Sequence, residues 1–196
     1  AMSEKENGTA FLTGRKTILR PARAETDIDN YLRWFNDQEV IQYLSGYLPT
    51  TREDEEEWFR NLHKNREKNI VFAIETLEGK HIGNMGIHNI NWKDRTATTG
   101  AMIGEKEYWG KGYGTDAKMA LLNYCFHTLN LRKIASAALA TNKRSVHYSL
   151  HCGYKIEGTK KKEIFVNGKY QDLVLLAVFR KDFRPIWKKF RKTGSV

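Results

Sequence analysis

The sequence predicts a single α/β domain with a mixed α+β sheet. Its 196 residues are enough for one buried core and too few for two independent ones. Hydrophobic residues make up 40% and charged residues 29%, which is typical of a globular protein and excludes disordered and low-complexity classes. The third observation is the predicted element order β, α-α, β-β-β, α, β, α, β-β, which combines antiparallel strand runs with a strand–helix–strand unit.

The first part of the chain predicts one strand followed by two short helices. The strand covers residues 18–20 and ends at Pro21, which lacks the N–H that a strand donates. Thr26-Asp27 is interpreted as the cap of a helix with apolar residues at 31–35, and a second helical piece covers residues 40–44. Both helices therefore precede the main group of strands.

An acidic run follows at residues 53–57. Thr50 and Glu53 have the spacing of a capping box, and the carboxylates after Glu53 suit the positive end of a helix dipole. The run is therefore interpreted as structural, and the alternative is an acidic wall that attracts a cationic amine.

The middle of the chain predicts a meander and a crossover. Strands over residues 70–75, 81–90 and 96–104 are joined by short polar turns, so neighbouring strands are antiparallel. From Thr115 the periodicity becomes helical, and a buried strand follows over residues 134–140. A strand, a helix and another strand imply a right-handed parallel crossover.

A helix and a hairpin complete the predicted fold. The helix covers residues 143–151 and ends at Gly153, a favoured C-cap residue. Asn167-Gly168 lies between the apolar runs 164–166 and 173–179 and predicts a tight hairpin, because both turn residues tolerate positive φ.

Positive charge is concentrated at the C-terminal end. The net charge is +10, and such an excess is compatible with nucleic acid, an acidic membrane surface or a small polyanion. Basic residues there alternate with aromatic ones: Arg180, Lys181, Arg184, Lys188, Lys189, Arg191 and Lys192, with Phe183, Trp187 and Phe190. We interpret the segment as a solvated helix or tail whose aromatic residues dock on the body, with a nucleic-acid patch as the alternative. The domain then covers residues 11–183 and the basic tail residues 184–196.

Several classes of protein are disfavoured. No apolar run reaches the roughly 18 to 20 residues of a membrane span, so we expect a cytoplasmic protein without membrane contact. Cys125 and Cys152 have no CxxC or His-rich neighbours and are interpreted as reduced core thiols, so no metal site is predicted. Ala1-Met2 is interpreted as a remnant of the expression vector that contributes nothing to the fold or the function.

The segment with the clearest chemistry runs from Tyr108 to Thr115. Its three spaced glycines lie between a strand and a helix, where backbone N–H groups and the positive end of the helix can hold a pyrophosphate. Lys111 adds a cation. The segment is not a P-loop, because no Gly-Lys-Ser/Thr ends it, and it is not a dinucleotide fingerprint, because the preceding strands form a meander.

These residues resemble the GNAT superfamily of N-acetyltransferases. The family signature Gln/Arg-x-x-Gly-x-Gly/Ala falls on Trp109 to Gly114. A second element, Asn-x-x-Ala/Ser followed by a helix and Gly-Phe/Tyr, falls on Asn142, Ser145, Gly153 and Tyr154. Further similarity covers nearly the whole chain and is closest to the branch of spermidine acetyltransferases and ribosomal-protein N-terminal acetyltransferases; it lies at Leu19-Arg20-Pro21, Trp34, Asn36-Asp37, Trp58, Ile82-Gly83 and Asn167-Gly168.

The resemblance implies a GNAT-like fold and acetyl-CoA as acyl donor. The mostly antiparallel central sheet would be splayed between its fourth and fifth strands, flanked by helices, with the pantetheine arm inserted between those strands. Asn142 would contact the cofactor and also cap its helix. The residues implied to bind acetyl-CoA are Met102, Ile103, Gly104, Trp109, Gly110, Lys111, Gly112, Tyr113, Gly114, Thr115, Asn142 and Ser145.

Two positions depart from the family pattern. Trp109 stands where Gln or Arg is usual and removes a polar side chain from the phosphate cradle. Many relatives have a tyrosine seven residues after the asparagine, which protonates the leaving thiolate; here that position is Ser149. Ser149 is therefore the candidate acid.

The inferred reaction is direct attack of a neutral amine on the thioester. Glu105 and Glu163, at strand ends, are candidate proton acceptors. A polyamine fits the acidic run and the spermidine-type resemblance, whereas a protein N-terminus, as on a ribosomal protein, fits the basic surface. The alternatives of a different class are an acyl-CoA binder without turnover and a nucleic-acid module. We expect a monomer or a homodimer.

Overall fold

An eight-stranded sheet organises residues 9–196, the part of the chain that the computed structural model describes; Ala1-Met2 lie outside it. The strands are β1 (Leu12–Thr13), β2 (Thr17–Pro21), β3 (Ile70–Thr76), β4 (His81–Asn91), β5 (Thr96–Ile103), β6 (Lys133–Leu139), β7 (Lys155–Val166) and β8 (Lys169–Phe179). The helices are α1 (Ala24–Phe35), α2 (Gln38–Ile41), α3 (Arg52–Lys64), α4 (Tyr113–Asn123), α5 (Lys143–His151) and α6 (Arg180–Thr193), and a π turn at Tyr124–Thr128 continues α4.

The sheet has the order β1-β2-β3-β4-β5-β6-β8-β7 and is antiparallel except at one junction. β5 and β6 run parallel and pair only through residues 96–98 and 133–135. Beyond Thr98, β5 stays on β4 as far as Ile103, whereas β6 stays on β8 as far as Leu139. The predicted split of a mostly antiparallel sheet is therefore confirmed, and the added strand β1 makes the separating strands the fifth and sixth.

Two helix starts differ from their predicted positions. α1 begins after Arg23, so Asp27 lies inside the helix and is not its N-cap residue. The buried Asp27 carboxylate accepts from the Arg23 backbone N–H at 2.7 Å and from the Arg20 guanidinium at 2.8 and 2.9 Å. The capping box of α3 uses Thr51 and Asp54, because the helix begins at Arg52, one residue later than the predicted pair requires.

The C-terminal segment is a helix that packs on the domain. Phe183 and Phe190 are buried against the main core, and Trp187 lies between their rings with centroid distances of 6.0 and 5.9 Å. The predicted boundary between residues 183 and 184 falls inside α6. Residues 184–193 therefore form a helix whose aromatic side chains dock on the domain, which is the helical form of the interpretation given above.

The remaining general features concern the thiols and the membrane. Cys125 and Cys152 are unpaired and buried, and burial raises the pKa of each thiol to about 12. Within residues 9–196, no helix combines the length and apolar character needed to cross a bilayer.

Candidate active site

A pocket opens where β5 and β6 separate. Its walls come from the end of β5, the glycine turn before α4, the first turns of α5, and the segment around α2. The residues lining it are Glu39, Val40, Gln42, Tyr43, Leu44, Ala101, Met102, Ile103, Tyr108, Trp109, Gly110, Gly112, Tyr113, Gly114, Thr115, Asn142, Arg144, Ser145 and Tyr148. Segments that are distant in sequence therefore meet at the split in the sheet.

The glycine turn places the N-terminus of α4 in the pocket wall. Gly112 is the N-cap of α4 with φ of +84°, in the left-handed region that a side chain disfavours. The first N–H groups of an α-helix have no partner within the helix and carry partial positive charge. Tyr113, Gly114 and Thr115 supply these groups at the pocket, so this wall suits an anion such as a phosphate.

A buried carboxylate fastens the β1–β2 hairpin to this turn. Asp116 accepts hydrogen bonds from the backbone N–H groups of Arg15, Lys16 and Thr17 at 2.8, 2.9 and 2.9 Å, and from the Thr17 hydroxyl at 2.7 Å. The Lys16 ammonium then donates to the Lys111 carbonyl at 2.8 Å and lies 5.3 Å from the Tyr113 ring centroid. The cation beside the glycine turn therefore comes from Lys16, a residue that no local motif indicated.

Trp109 and Arg144 form a second polar feature of the same wall. The Trp109 indole N–H donates to the Ile103 carbonyl at 2.7 Å, which fixes the ring. The Arg144 guanidinium lies 5.0 Å from the centroid of that ring, and both residues line the pocket. Among residues 9–196, no carboxylate lies within 4.0 Å of the Arg144 guanidinium. Its charge is therefore available to an anion.

The first turns of α5 provide the opposite wall. Asn142 is the N-cap of α5, and its side chain accepts a hydrogen bond from the Ser145 N–H at 3.1 Å. Both residues line the pocket, so the capping role of Asn142 is seen directly, while its contact with a cofactor stays a prediction.

Tyr148, and not Ser149, turns toward the pocket. Ser149 is 1% exposed and absent from the pocket wall, because successive helix residues are rotated by about 100° and Ser149 faces inward. The Tyr148 hydroxyl is buried and has no hydrogen-bond partner among residues 9–196, and burial raises its pKa. Tyr148 is a residue of the pocket wall, and an unpartnered buried hydroxyl on such a residue fits a polar group bound nearby.

A buried lysine lies behind Tyr148. Lys118 is 1% exposed, and its ammonium donates to the Thr99 hydroxyl at 2.8 Å. The ammonium lies 5.3 Å from the Tyr148 ring centroid and 5.2 Å from that of Tyr154. Burial lowers the pKa of Lys118 to about 8. Sequence periodicity gave no sign of this position, since the apolar stripe of α4 excludes residue 118.

Neither candidate proton acceptor lies in the pocket wall. Glu105 pairs with the Arg33 guanidinium and accepts from the Trp34 indole N–H at 3.2 Å, and the Arg33 contact lowers its pKa. A carboxylate with a lowered pKa is a weak base. Glu163 lies on β7, where its carboxylate is 3.1 Å from the Lys160 ammonium. The roles of Glu105 and Glu163 as bases stay predictions, and neither carboxylate lies in the pocket wall.

Ten of the twelve residues implied to bind acetyl-CoA line the pocket, and Gly104 and Lys111 do not. Gly104 instead provides room for the Trp34 indole, whose Cδ2 would lie 2.0 Å from an added Cβ. Lys111 contributes its carbonyl to Lys16. The sequence prediction missed Lys16, Arg144, Tyr148 and the α2 segment, and only Tyr148, next to the family tyrosine position, had a local signal.

Comparisons with known proteins agree with this architecture. Residues 16–155 match the model of the family described as acetyltransferase (GNAT) domain. A spermidine N(1)-acetyltransferase of Vibrio cholerae is 31% identical over 129 residues, which cover 66% of this chain and 73% of that protein. A putative ribosomal N-acetyltransferase of Bacillus subtilis is 31% identical over 115 residues, which cover 59% of this chain and 62% of that protein.

A solved structure extends the similarity to the whole fold. The spermidine N-acetyltransferase from Vibrio cholerae in complex with CoA and spermine superposes with a TM-score of 0.79 at 26% identity, covering 86% of this chain and 98% of that one.

The match to the GNAT model covers more than half of the chain, and the chain belongs to the GNAT acetyltransferase family. It is an acetyl-CoA-dependent N-acetyltransferase, as the split sheet, the glycine turn and the family together define.

Proposed function

We propose that this N-acetyltransferase acetylates a primary amine of a polyamine. The observation that carries the proposal is the distribution of charge in the pocket. The Arg144 guanidinium is in the pocket wall and the Lys16 ammonium lies just outside it, both beside the glycine turn. Glu39, in α2, is the single carboxylate among the described residues that line the pocket, and it is paired at 2.5 Å with the Lys106 ammonium, which a cationic acceptor would have to displace or share. An anionic acyl donor and a cationic acceptor would therefore meet opposite charges at different walls. The relatives named for spermidine support the same acceptor class.

The cofactor-binding residues fit acetyl-CoA on the basis of their own chemistry. The α4 N-terminus, Lys16 and Arg144 would hold its phosphates. Beyond Thr98 the edge of β5 no longer pairs with β6, which leaves backbone groups facing the pocket for the pantetheine amides. Acetyl-CoA supplies the acetyl group as a thioester.

In the proposed mechanism Tyr148 holds the proton that the leaving sulfur takes up. Tyr148 lines the pocket, and its hydroxyl, which is buried, has no competing partner within residues 9–196. A positive charge on Lys118, behind the ring, stabilises the phenolate that remains after the transfer and so opposes the effect of burial. The Glu105 carboxylate is paired with Arg33 and lies outside the pocket wall. In this mechanism a water molecule therefore accepts the proton of the acceptor amine.

The proposed acceptor is tested by measuring thiol release with spermidine, spermine, monoamines and N-terminal peptides. We expect turnover with the polyamines. Glu39→Gln should raise the KM for spermidine about twofold to fivefold, the effect of one exposed charge pair, and leave the KM for acetyl-CoA unchanged. Glu57→Gln in the acidic run, which lies outside the pocket wall, is the matched control and should change neither KM. If N-terminal peptides were acetylated and polyamines were not, a protein N-terminus would replace the polyamine as the proposed acceptor.

A separate prediction concerns Arg144. Since Trp109 removes the usual polar side chain from the signature, we propose that Arg144, held against the Trp109 ring, supplies the missing contact to a CoA phosphate. Arg144→Gln should weaken CoA binding about tenfold in calorimetry, as loss of one charge-assisted hydrogen bond does, and leave pantetheine binding unchanged.

Lys143→Gln provides the control for Arg144, because Lys143 is the neighbouring exposed cation and does not line the pocket. It should leave the Kd of CoA within about twofold, the scale of a screened surface charge. Equal losses in the two variants would show a general charge effect and contradict the assignment of Arg144.

A further inference from the structure

A basic groove lies between the π turn and α6, and we call it the α6 groove. Its walls include His127, Arg180, Arg184, Trp187, Lys188 and Arg191. It shares no lining residue with the active-site pocket. Acetyl transfer in the active-site pocket does not involve the α6 groove, so the positive charge of this groove needs a separate explanation.

Four cations form a row along the groove side of α6. Arg180, Arg184, Lys188 and Arg191 are spaced by four, four and three residues, which places them on one side of the helix. Like charges at this spacing destabilise an isolated helix. The row therefore carries an electrostatic cost that an anion bound in the groove would relieve.

The carboxylates of residues 9–196 do not neutralise this row. Within residues 9–196, none of the four cations has a carboxylate partner within 4.0 Å, whereas nearby Lys133 and Lys155 are paired with Glu157 and Asp182. Arg180 is partly satisfied, because its guanidinium donates to Asn130 at 2.8 Å and to the Leu131 carbonyl at 3.1 Å. Its buried Nε has no hydrogen-bond partner in the same residues. The charge of the row therefore remains uncompensated.

The length of the row defines the class of ligand. From Arg180 to Arg191 the helix rises about 16 Å, at 1.5 Å per residue, which is longer than a single small anion. Trp187 is half-buried and stacked between Phe183 and Phe190, so it offers the edge of its indole ring, and not a free face, to the groove. A row of cations binds the phosphates of single-stranded nucleic acid without requiring base stacking.

We propose that the α6 groove binds single-stranded nucleic acid through its phosphate backbone, independently of acetyl transfer. The test is fluorescence anisotropy of the full chain with labelled fifteen-residue oligo-uridine and oligo-thymidine over a range of salt concentrations. If the four cations contact phosphates, the slope of log K against log salt should be about −3, because each contact to a single strand contributes about −0.7.

The decisive variant is Arg184→Gln/Lys188→Gln. It should weaken oligonucleotide binding at least tenfold and reduce the slope by about 1.4, which corresponds to two lost phosphate contacts. Lys189→Gln/Lys192→Gln removes the same charge from the same helix, but neither lysine lines the groove, and it should leave the affinity within twofold. Circular dichroism and thiol release with the amine substrate should be unchanged in both variants, which separates this proposal from the proposed function.

Three results would overturn it. The first is no binding of either oligonucleotide at 50 mM salt. The second is an equal loss of affinity in the two double variants, which would show a diffuse charge effect. The third is tighter binding of polyglutamate than of the oligonucleotides, which would assign the groove to an acidic protein.

Discussion

Tyr148→Phe is expected to lower kcat about 100-fold or more, with the Kd for CoA unchanged within about twofold. The variant removes only the hydroxyl of a residue that lines the pocket, and this hydroxyl is buried without a partner among residues 9–196. General acid catalysis contributes about 10²-fold to 10⁴-fold where the acid is well placed. Because the lost interaction belongs to the transition state, kcat and kcat/KM should fall together. Steady-state kinetics and calorimetry with CoA measure the two quantities.

Ser149→Ala is the matched control for Tyr148. Ser149 occupies the family position of the acid but is buried away from the pocket, so kcat should fall less than about tenfold. In both variants the rate should rise with pH as the acceptor amine, with a pKa of about 10, loses its proton. A large loss in Ser149→Ala with a small one in Tyr148→Phe would reverse the assignment of the acid.

Gly112→Val is expected to abolish the increase in Tm that CoA produces in the unmodified chain. A ligand that binds the folded state alone raises Tm by mass action. Gly112 has φ of +84°, so a β-branched residue would strain the turn and move the first N–H groups of α4. The added side chain would also approach the Lys16 ammonium, which lies 3.8 Å from the Cβ position. Thermal unfolding with and without CoA measures the effect.

Backbone strain alone is tested by Gly79→Val. Gly79 lies in the β3–β4 turn with φ of +86°, and its Cβ position is free of contacts within 4 Å among the described residues. It should lower Tm to a similar extent and retain the full increase with CoA. A full CoA response in Gly112→Val would place the phosphate site elsewhere.

Much of the fold could be predicted because local residues determine it. The α5 bounds at 143–151 and the Asn167-Gly168 hairpin follow from periodicity and turn chemistry, and the structure reproduces both. The start of α1 differs from its prediction, because the N-cap residue is Arg23 and Asp27 lies one turn into the helix. There the Asp27 carboxylate binds both the Arg23 N–H and the Arg20 guanidinium, and the contact with Arg20 depends on the packing of β2, which the local capping pattern does not indicate.

The candidate site was predictable only where a motif marked it. Its glycine turn and Asn142 lie at the pocket, while Glu105 lies outside the pocket wall and pairs with Arg33, which is 72 residues away in sequence and could not be anticipated from local spacing. Lys118 was also invisible, since α4 is covered on nearly all sides and the apolar stripe does not define its buried face. Lys16 and Arg144 reach the site by tertiary folding, which spacing along the chain does not encode.

The attachment of the hairpin to Asp116 has a consequence for the order of folding. Its hydrogen bonds join residues 99 to 101 positions apart, and closing such a long loop is entropically costly. Four strands, β2 to β5, and the helices α1 to α3 lie between Lys16 and Asp116, so we expect these elements to be largely in place before the contact forms. Lys16 would reach the glycine turn at that stage. We therefore expect the ability to bind the acyl donor to be acquired late, when the beginning and the middle of the chain have already met.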